Sequence, residues 1–182
     1  MNPFRILAIS GSLRARSSNT ELLKAAALLA GPNAAVDQYD GLGSLPHFNP
    51  DLDLEGAVLP AEVQRLRTAI ATADALLISS PEYAHGVPGS LKNALDWLVS
   101  GPEMVGKPLG LLNASSRSTH AHAQLEETLR TMSTAVVPGA VGIVPLDGRR
   151  LDAAAIAEDR ELAAVIRQTL DALVAFSRDA VS

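Results

Sequence analysis

The sequence predicts a doubly wound α/β fold, a five-stranded parallel sheet with helices on both faces. Three observations predict it. Short apolar runs alternate with longer stretches of helical spacing along the 182 residues. Those runs are continuously apolar, as expected of strands covered on both faces, and do not alternate with polar residues. The polar loops richest in chemistry follow the first, third and fourth runs, and in a parallel sheet that gathers them at one edge, where ligands bind.

The elements follow in order. Phe4 to Ser10 is the first strand, and Glu21 to Leu29 reads as helix. Ala34 to Tyr39 is a short second strand. Gly41 to Pro60 is irregular, broken by Gly, Pro and Asn. Its apolar part, Gly41 to Asp53, is expected either to fold over its own domain or to reach a neighbouring subunit. Pro60 suits the first turn of a helix to Ala73, in which Val63, Leu66, Ile70 and Ala73 share a face. Ala75 to Ile78 is the third strand, and Gly89 to Val99 a helix. Leu109 to Leu112 is the fourth strand, followed by a helix over Ala121 to Ser133. Ala135 to Val144 holds the fifth strand, with a break expected at Pro138-Gly139. A single last helix is expected from Ala157 to Ser177, giving five helices for five strands in one domain over 1–182.

Composition excludes several classes. The net charge is −5, with no basic stripe to neutralise a nucleic-acid backbone. The absence of cysteine excludes disulfides, thiolate zinc sites and thiol nucleophiles, so any redox chemistry requires a bound cofactor. No apolar run is long enough for a membrane span or a secretory signal, and the expectation is a cytoplasmic protein without membrane association.

Four motifs fail on context. Gly101 to Lys107 approximates a nucleotide-binding P-loop but ends in Pro108 where a hydroxyl is needed, and it precedes a strand instead of following one. Gly41-Leu42-Gly43 opens like a dinucleotide fingerprint, but Pro46 prevents the helix. His120 and His122 are two apart, do not converge on a helix, and read as exposed helix-start residues. Asn113-Ala114-Ser115 has glycosylation spacing without a secretory signal, and no G-x-S-x-G elbow exists.

Two loops remain. Gly11 to Thr20, GSLRARSSNT, joins the first strand to the first helix. Unpaired N–H groups and the positive dipole end at a helix start make an anion cradle, to which Arg14 and Arg16 add charge and Ser12, Ser17, Ser18 and Thr20 add hydroxyls. The ligand expected here carries a phosphate. The second loop, from Ser80, is stiffened by Pro81, Gly86, Pro88 and Gly89, and its backbone can wall a flat heterocycle. Tyr83 can line a pocket, while Trp97 packs in the core or at a subunit interface.

Together, SGSLRARSSN and PEYAHGVPGSLKNALDW resemble the NADPH-dependent FMN reductases, a family of flavin, quinone, azo-dye and chromate reductases. The resemblance runs over the whole chain and implies a flavodoxin-like fold. It implies that Ser12, Arg14, Ser17 and Asn19 hold the FMN phosphate. It implies that Pro81, Glu82, Tyr83, Ala84 and His85 border the isoalloxazine, largely through backbone, with Ala84 standing where the family usually has Asn. Ser115 or Ser116 approaches the ring, and Arg117 is placed to meet the phosphate of NADPH. The implied activity is FMN-dependent hydride acceptance from NADPH or NADH and reduction of a small-molecule acceptor, by a homodimer or homotetramer. No catalytic acid, base, nucleophile or metal ligand is implied. Two other readings stay open at this point, a flavodoxin-type electron carrier that does not itself oxidise NADPH and a non-redox module binding another phosphate ligand.

Overall fold

The computed structural model describes residues 3–179; residues 1–2 and 180–182, the ends of the domain expected over 1–182, lie outside the described residues. Five parallel strands form one sheet in the order β2-β1-β3-β4-β5. They are β1 (Phe4–Ser10), β2 (Ala34–Gln38), β3 (Ala75–Ser79), β4 (Pro108–Asn113) and β5 (Ala135–Ile143). This is the flavodoxin-like strand order, with its switch point between β1 and β3. The helices are α1 (Ser18–Leu29), α2 (Ala61–Thr72), α3 (Gly89–Asp96), α4 (Thr119–Thr131), α5 (Ala153–Glu158) and α6 (Arg160–Asp179).

Alternate strand residues supply two cores. Ile6, Ala8, Ala75 and Leu77 face α1, α5 and α6, where Leu22, Leu23, Ile156, Ile166 and Leu173 pack. Leu7, Ile9, Leu76 and Ile78 face α2, α3 and α4 through Leu66, Ile70, Leu91, Leu125 and Leu129. Every residue of β3 is buried, which explains why its sequence is a continuous apolar run. Gly142 lets α6 lie close on the sheet, since a Cβ there would stand 2.7 Å from Val165 Cγ1.

Three expectations change. The expected last helix is two helices, so the described residues hold six α-helices and not five. Asp159 separates them, with extended backbone and a carboxylate that accepts from the N–H groups of Glu161 and Leu162, both at 3.2 Å, capping α6. The third helix ends at Asp96 and not at Val99. At Pro138-Gly139 the strand does not break. Two steps along β4, from Leu109 to Leu111, face five along β5, from Val136 to Val141, so the extra residues form a bulge inside one strand.

The Gly41 to Asp53 stretch folds over its own chain. The Asn93 side chain accepts from Phe48 N at 2.7 Å and donates to Pro46 O at 2.9 Å. Trp97 is fully buried, donates its indole N–H to Pro46 O at 2.8 Å and meets Phe48 edge to face. Asp53 is held by Arg67 at 3.0 Å and by Ser100 at 2.6 Å. Asn93 and Trp97, both in the second sequence motif, thus anchor this stretch, and Trp97 is a core residue.

Candidate functional site

The three expected loops do meet at the carboxyl edge of the sheet. Gly11 N donates to Ser79 O at 2.8 Å, and a Cβ on Gly11 would lie 2.7 Å from Ser80 Oγ, so the first loop presses directly on the second. Within the first loop Ser17 caps α1 by accepting from Thr20 N at 3.4 Å, and Ser12 Oγ accepts from Arg14 N at 3.4 Å. Ser10 and Thr20 share a hydroxyl–hydroxyl bond of 2.8 Å. Asn19 is buried, its Oδ1 accepting from Ser79 Oγ at 2.9 Å. Arg14 and Arg16 are exposed, and neither has a carboxylate partner among the described residues. Two unpaired guanidinium groups therefore flank a helix N-terminus whose first-turn N–H groups lack helical acceptors. This donor set fits a phosphate group.

The second loop turns tightly. Tyr83 N donates to Gly86 O at 3.1 Å and Gly86 N to Tyr83 O at 2.9 Å, closing a two-residue turn. Ala84 and His85 both adopt left-handed backbone, with φ of 50° and 60°. That is a type I′ geometry, which favours Asn-Gly; for residues with a Cβ, left-handed backbone costs about 1–2 kcal/mol each. Helix α4 braces the turn. Glu82 Oε2 accepts from Ala121 N at 2.9 Å, and Gln124 Oε1 accepts from Val87 N at 2.9 Å. Glu82 Oε1 lies 3.3 Å from His85 Nδ1, and the His85 and His120 rings meet edge to face at 4.5 Å. The Ala121 N–H holds the Glu82 carboxyl below its usual range, with His120 and His85 contributing. His120 is exposed as expected, whereas His122 is half-buried, and that burial lowers its pKa.

The third loop is held by Asp147, from the segment after β5. Its carboxylate accepts from Ser115 Oγ, from Ser116 N at 3.0 Å and from Ser116 Oγ at 3.1 Å. Arg117 Nε approaches it at 3.4 Å from an otherwise exposed position. The Ser115 hydroxyl, more than any other contact, keeps the Asp147 carboxyl below the usual aspartate value. Asn113 shapes the loop from within, accepting from Ser115 N at 3.0 Å and donating to Ser118 O at 3.1 Å.

Between these loops lies an open cleft of about 260 Å³. Of the expected site residues, Ser18, Asn19, Pro81, Glu82, Ser115 and Arg117 line it, joined by Asp147. Ser12, Arg14 and Ser17 sit beside it in the cradle. Tyr83, Ala84, His85 and Ser116 do not line it; the first three form the turn at its side. Asp147 and Gln124 were missed by sequence reasoning. A signal existed for Asp147, because Asp147-Gly148 follows a parallel strand and must fall at the same edge. None existed for Gln124, an exposed residue in the middle of a helix.

With this geometry established, similarity to known proteins becomes informative. The sequence model of the NADPH-dependent FMN reductase family matches residues 4–147. The chain is 41% identical over 130 residues to an NAD(P)H-dependent FMN reductase of Pseudomonas aeruginosa, covering 69% of each chain. It is 33% identical over 128 residues to a quinone reductase of Escherichia coli K12, covering 69% of this chain and 67% of that one. It spans only 46% and 57% of the length of two rice relatives that it also matches. Among solved structures, a flavoenzyme NAD(P)H:(acceptor) oxidoreductase from Paracoccus denitrificans superposes with a TM-score of 0.73 at 26% identity, covering 96% of this chain and 97% of that one.

Proposed function

The chain belongs to the NADPH-dependent FMN reductase family, and from that premise we propose that it is an FMN-dependent oxidoreductase whose first loop holds the cofactor phosphate. One observation carries the assignment: unpaired Arg14 stands at the N-terminus of α1, contiguous with a cleft at the sheet switch point. Ser12, Arg14, Ser17 and Asn19 bind the phosphate through backbone N–H, hydroxyl, amide and guanidinium donors. The backbone of Pro81, Glu82, Tyr83, Ala84 and His85 walls one side of the ring, and Ser115 and Ser116 border the other. Bound FMN supplies the redox chemistry, accepting a hydride from NADPH or NADH and passing electrons to a small-molecule acceptor such as a quinone, an azo compound, a flavin or a metal ion. The protein's own residues bind, orient and exclude water; none acts as acid, base or nucleophile. The relatives named as quinone reductases favour a quinone as acceptor.

The test is to load the protein with FMN and mix it with NADPH in the absence of any acceptor. Rapid bleaching of the flavin band is the expected result. A flavin that binds but stays oxidised identifies an electron carrier, and a chain that takes up no FMN identifies a different phosphate-binding module.

The reading extends to one domain over 1–182, a cytoplasmic location and a homodimer or homotetramer. Exposed Leu52, Leu54 and Val58, on and just beyond the stretch that folds over the domain, support the oligomer. Light scattering should give a mass of two or four chains, and a monomer would refute it. Among the described residues no helix is long and apolar enough to cross a membrane.

A further inference from the structure

We propose that Gln124 is a positioning residue for the flavin: from α4 it holds the strained Ala84-His85 turn in the shape that borders the cleft. The inference rests on the reading of Pro81 to His85 as the ring wall. Two adjacent residues with a Cβ relax toward right-handed or extended backbone when nothing restrains them. The reciprocal Tyr83–Gly86 bonds favour this hand, since two-residue hairpin loops prefer primed turns, but they leave the steric cost of two Cβ-bearing residues in left-handed backbone unrelieved. A restraint from outside the turn helps hold it against that cost.

It comes from α4. Glu82, the residue before Tyr83, is tied to Ala121 N, and Val87, the residue after Gly86, is tied to Gln124 Oε1. Both ends of the turn are thereby fixed to one rigid helix, which sets the span that the four residues between must fill. The two ties differ in what else they do. Ser118, the N-cap of α4, makes no side-chain cap bond, so Glu82 also supplies the missing cap of that helix. Gln124 has no such second duty. It is exposed, no core packing requires glutamine there, and among the described residues its side-chain oxygen bonds Val87 N alone. Without it, the backbone of Tyr83 to His85 is released from the cleft while the phosphate cradle stays intact.

The test compares Gln124→Ala in two backgrounds, the natural chain and Ala84→Gly. FMN affinity is read by fluorescence quenching of the apo-protein, and wall order by amide-exchange protection of Val87. In the natural background Gln124→Ala should weaken FMN binding about threefold to tenfold, the net effect of one lost hydrogen bond, and lower Val87 protection. Glycine takes left-handed backbone without a steric penalty, so in the Ala84→Gly background the same substitution should cost less than about twofold in FMN binding. A residue that served folding alone would produce equal losses in both backgrounds. Equal losses, or an unchanged FMN dissociation constant in Gln124→Ala, overturn the inference while wild-type binding leaves the ring-wall reading intact. A wild-type chain that takes up no FMN overturns both.

Discussion

The first loop and the other two are built in opposite ways. Inside the first loop, the shaping bonds join residues two or three apart, as between Ser12 and Arg14 or Ser17 and Thr20, and its outside partners are Ser10 at the end of β1 and Ser79 on β3, the two strands it rests on. The second loop is held by Gln124 and by the Glu82 bond to Ala121, with separations of 37 and 39 residues. The third is held by Asp147, 31 residues from Ser116. On the proposed assignment of the loops, the difference follows from what each binds. A phosphate needs convergent donors, which a strand, a short loop and a helix start provide by themselves. A flat ring needs a shaped surface, and short loops keep such a shape only when distant elements brace them. On that assignment, affinity for the charge is local, and fit to the ring is tertiary.

Substitutions can break or sharpen that contrast. The largest effect is expected from Arg14→Ala, which should weaken FMN binding at least about tenfold, or 1.4 kcal/mol, because it removes a charge-assisted contact. Amide exchange in the second and third loops should stay as in the natural chain, since Arg14 braces neither. An altered third loop would show that the cradle is coupled to the wall. A smaller effect on FMN is expected from Asp147→Ala, about threefold to fivefold, as the loop bearing Ser115 and Ser116 loses its external acceptor. The diagnostic result is remote: protection of the Ser116 amide should fall although the substituted residue lies in another segment.

The weakest and most conditional effect is that of acid. Asp147 titrates below its unfolded value, so its bonds contribute their full stability above that value and lose it as pH falls through the lower folded pKa. The third loop should stay closed at neutral pH and loosen only below the ordinary aspartate range. Ser116 protection followed from neutral pH into acid checks this. Asp147→Ala should abolish the pH dependence, and a dependence that survived would assign it to another group.

The same contrast explains what could be read from the sequence. β1, β3 and β4 were legible because burial on both faces leaves an apolar run that no loop imitates. The cradle was legible because Ser12 and Ser17 act on their own neighbours. The division of α5 from α6 was not, because the helical pattern continues through Asp159 and only its carboxylate, turned onto the next helix, marks the stop. Trp97 could be assigned to packing, but Pro46 and Phe48 as its partners belong to a stretch with no periodicity. Ala84 stood out as a substitution, yet its left-handed backbone belongs to a turn closed between Tyr83 and Gly86 and flanked by ties to α4, which spacing cannot reveal.

The bulge in β5 leaves slack in the chain between two fixed points. Upstream, Ala135 N is tied to Lys107 O, and downstream Leu146 N is tied to Ala114 O, one residue short of Asp147. Insertions or deletions at exposed Pro138 and Gly139 should change how far the strand bows and leave the residues beyond it opposite the same partners on β4, whereas Ala140 is buried in the core. The protein therefore has a place to absorb changes in length that the three loops tied down at the carboxyl edge of the sheet do not offer.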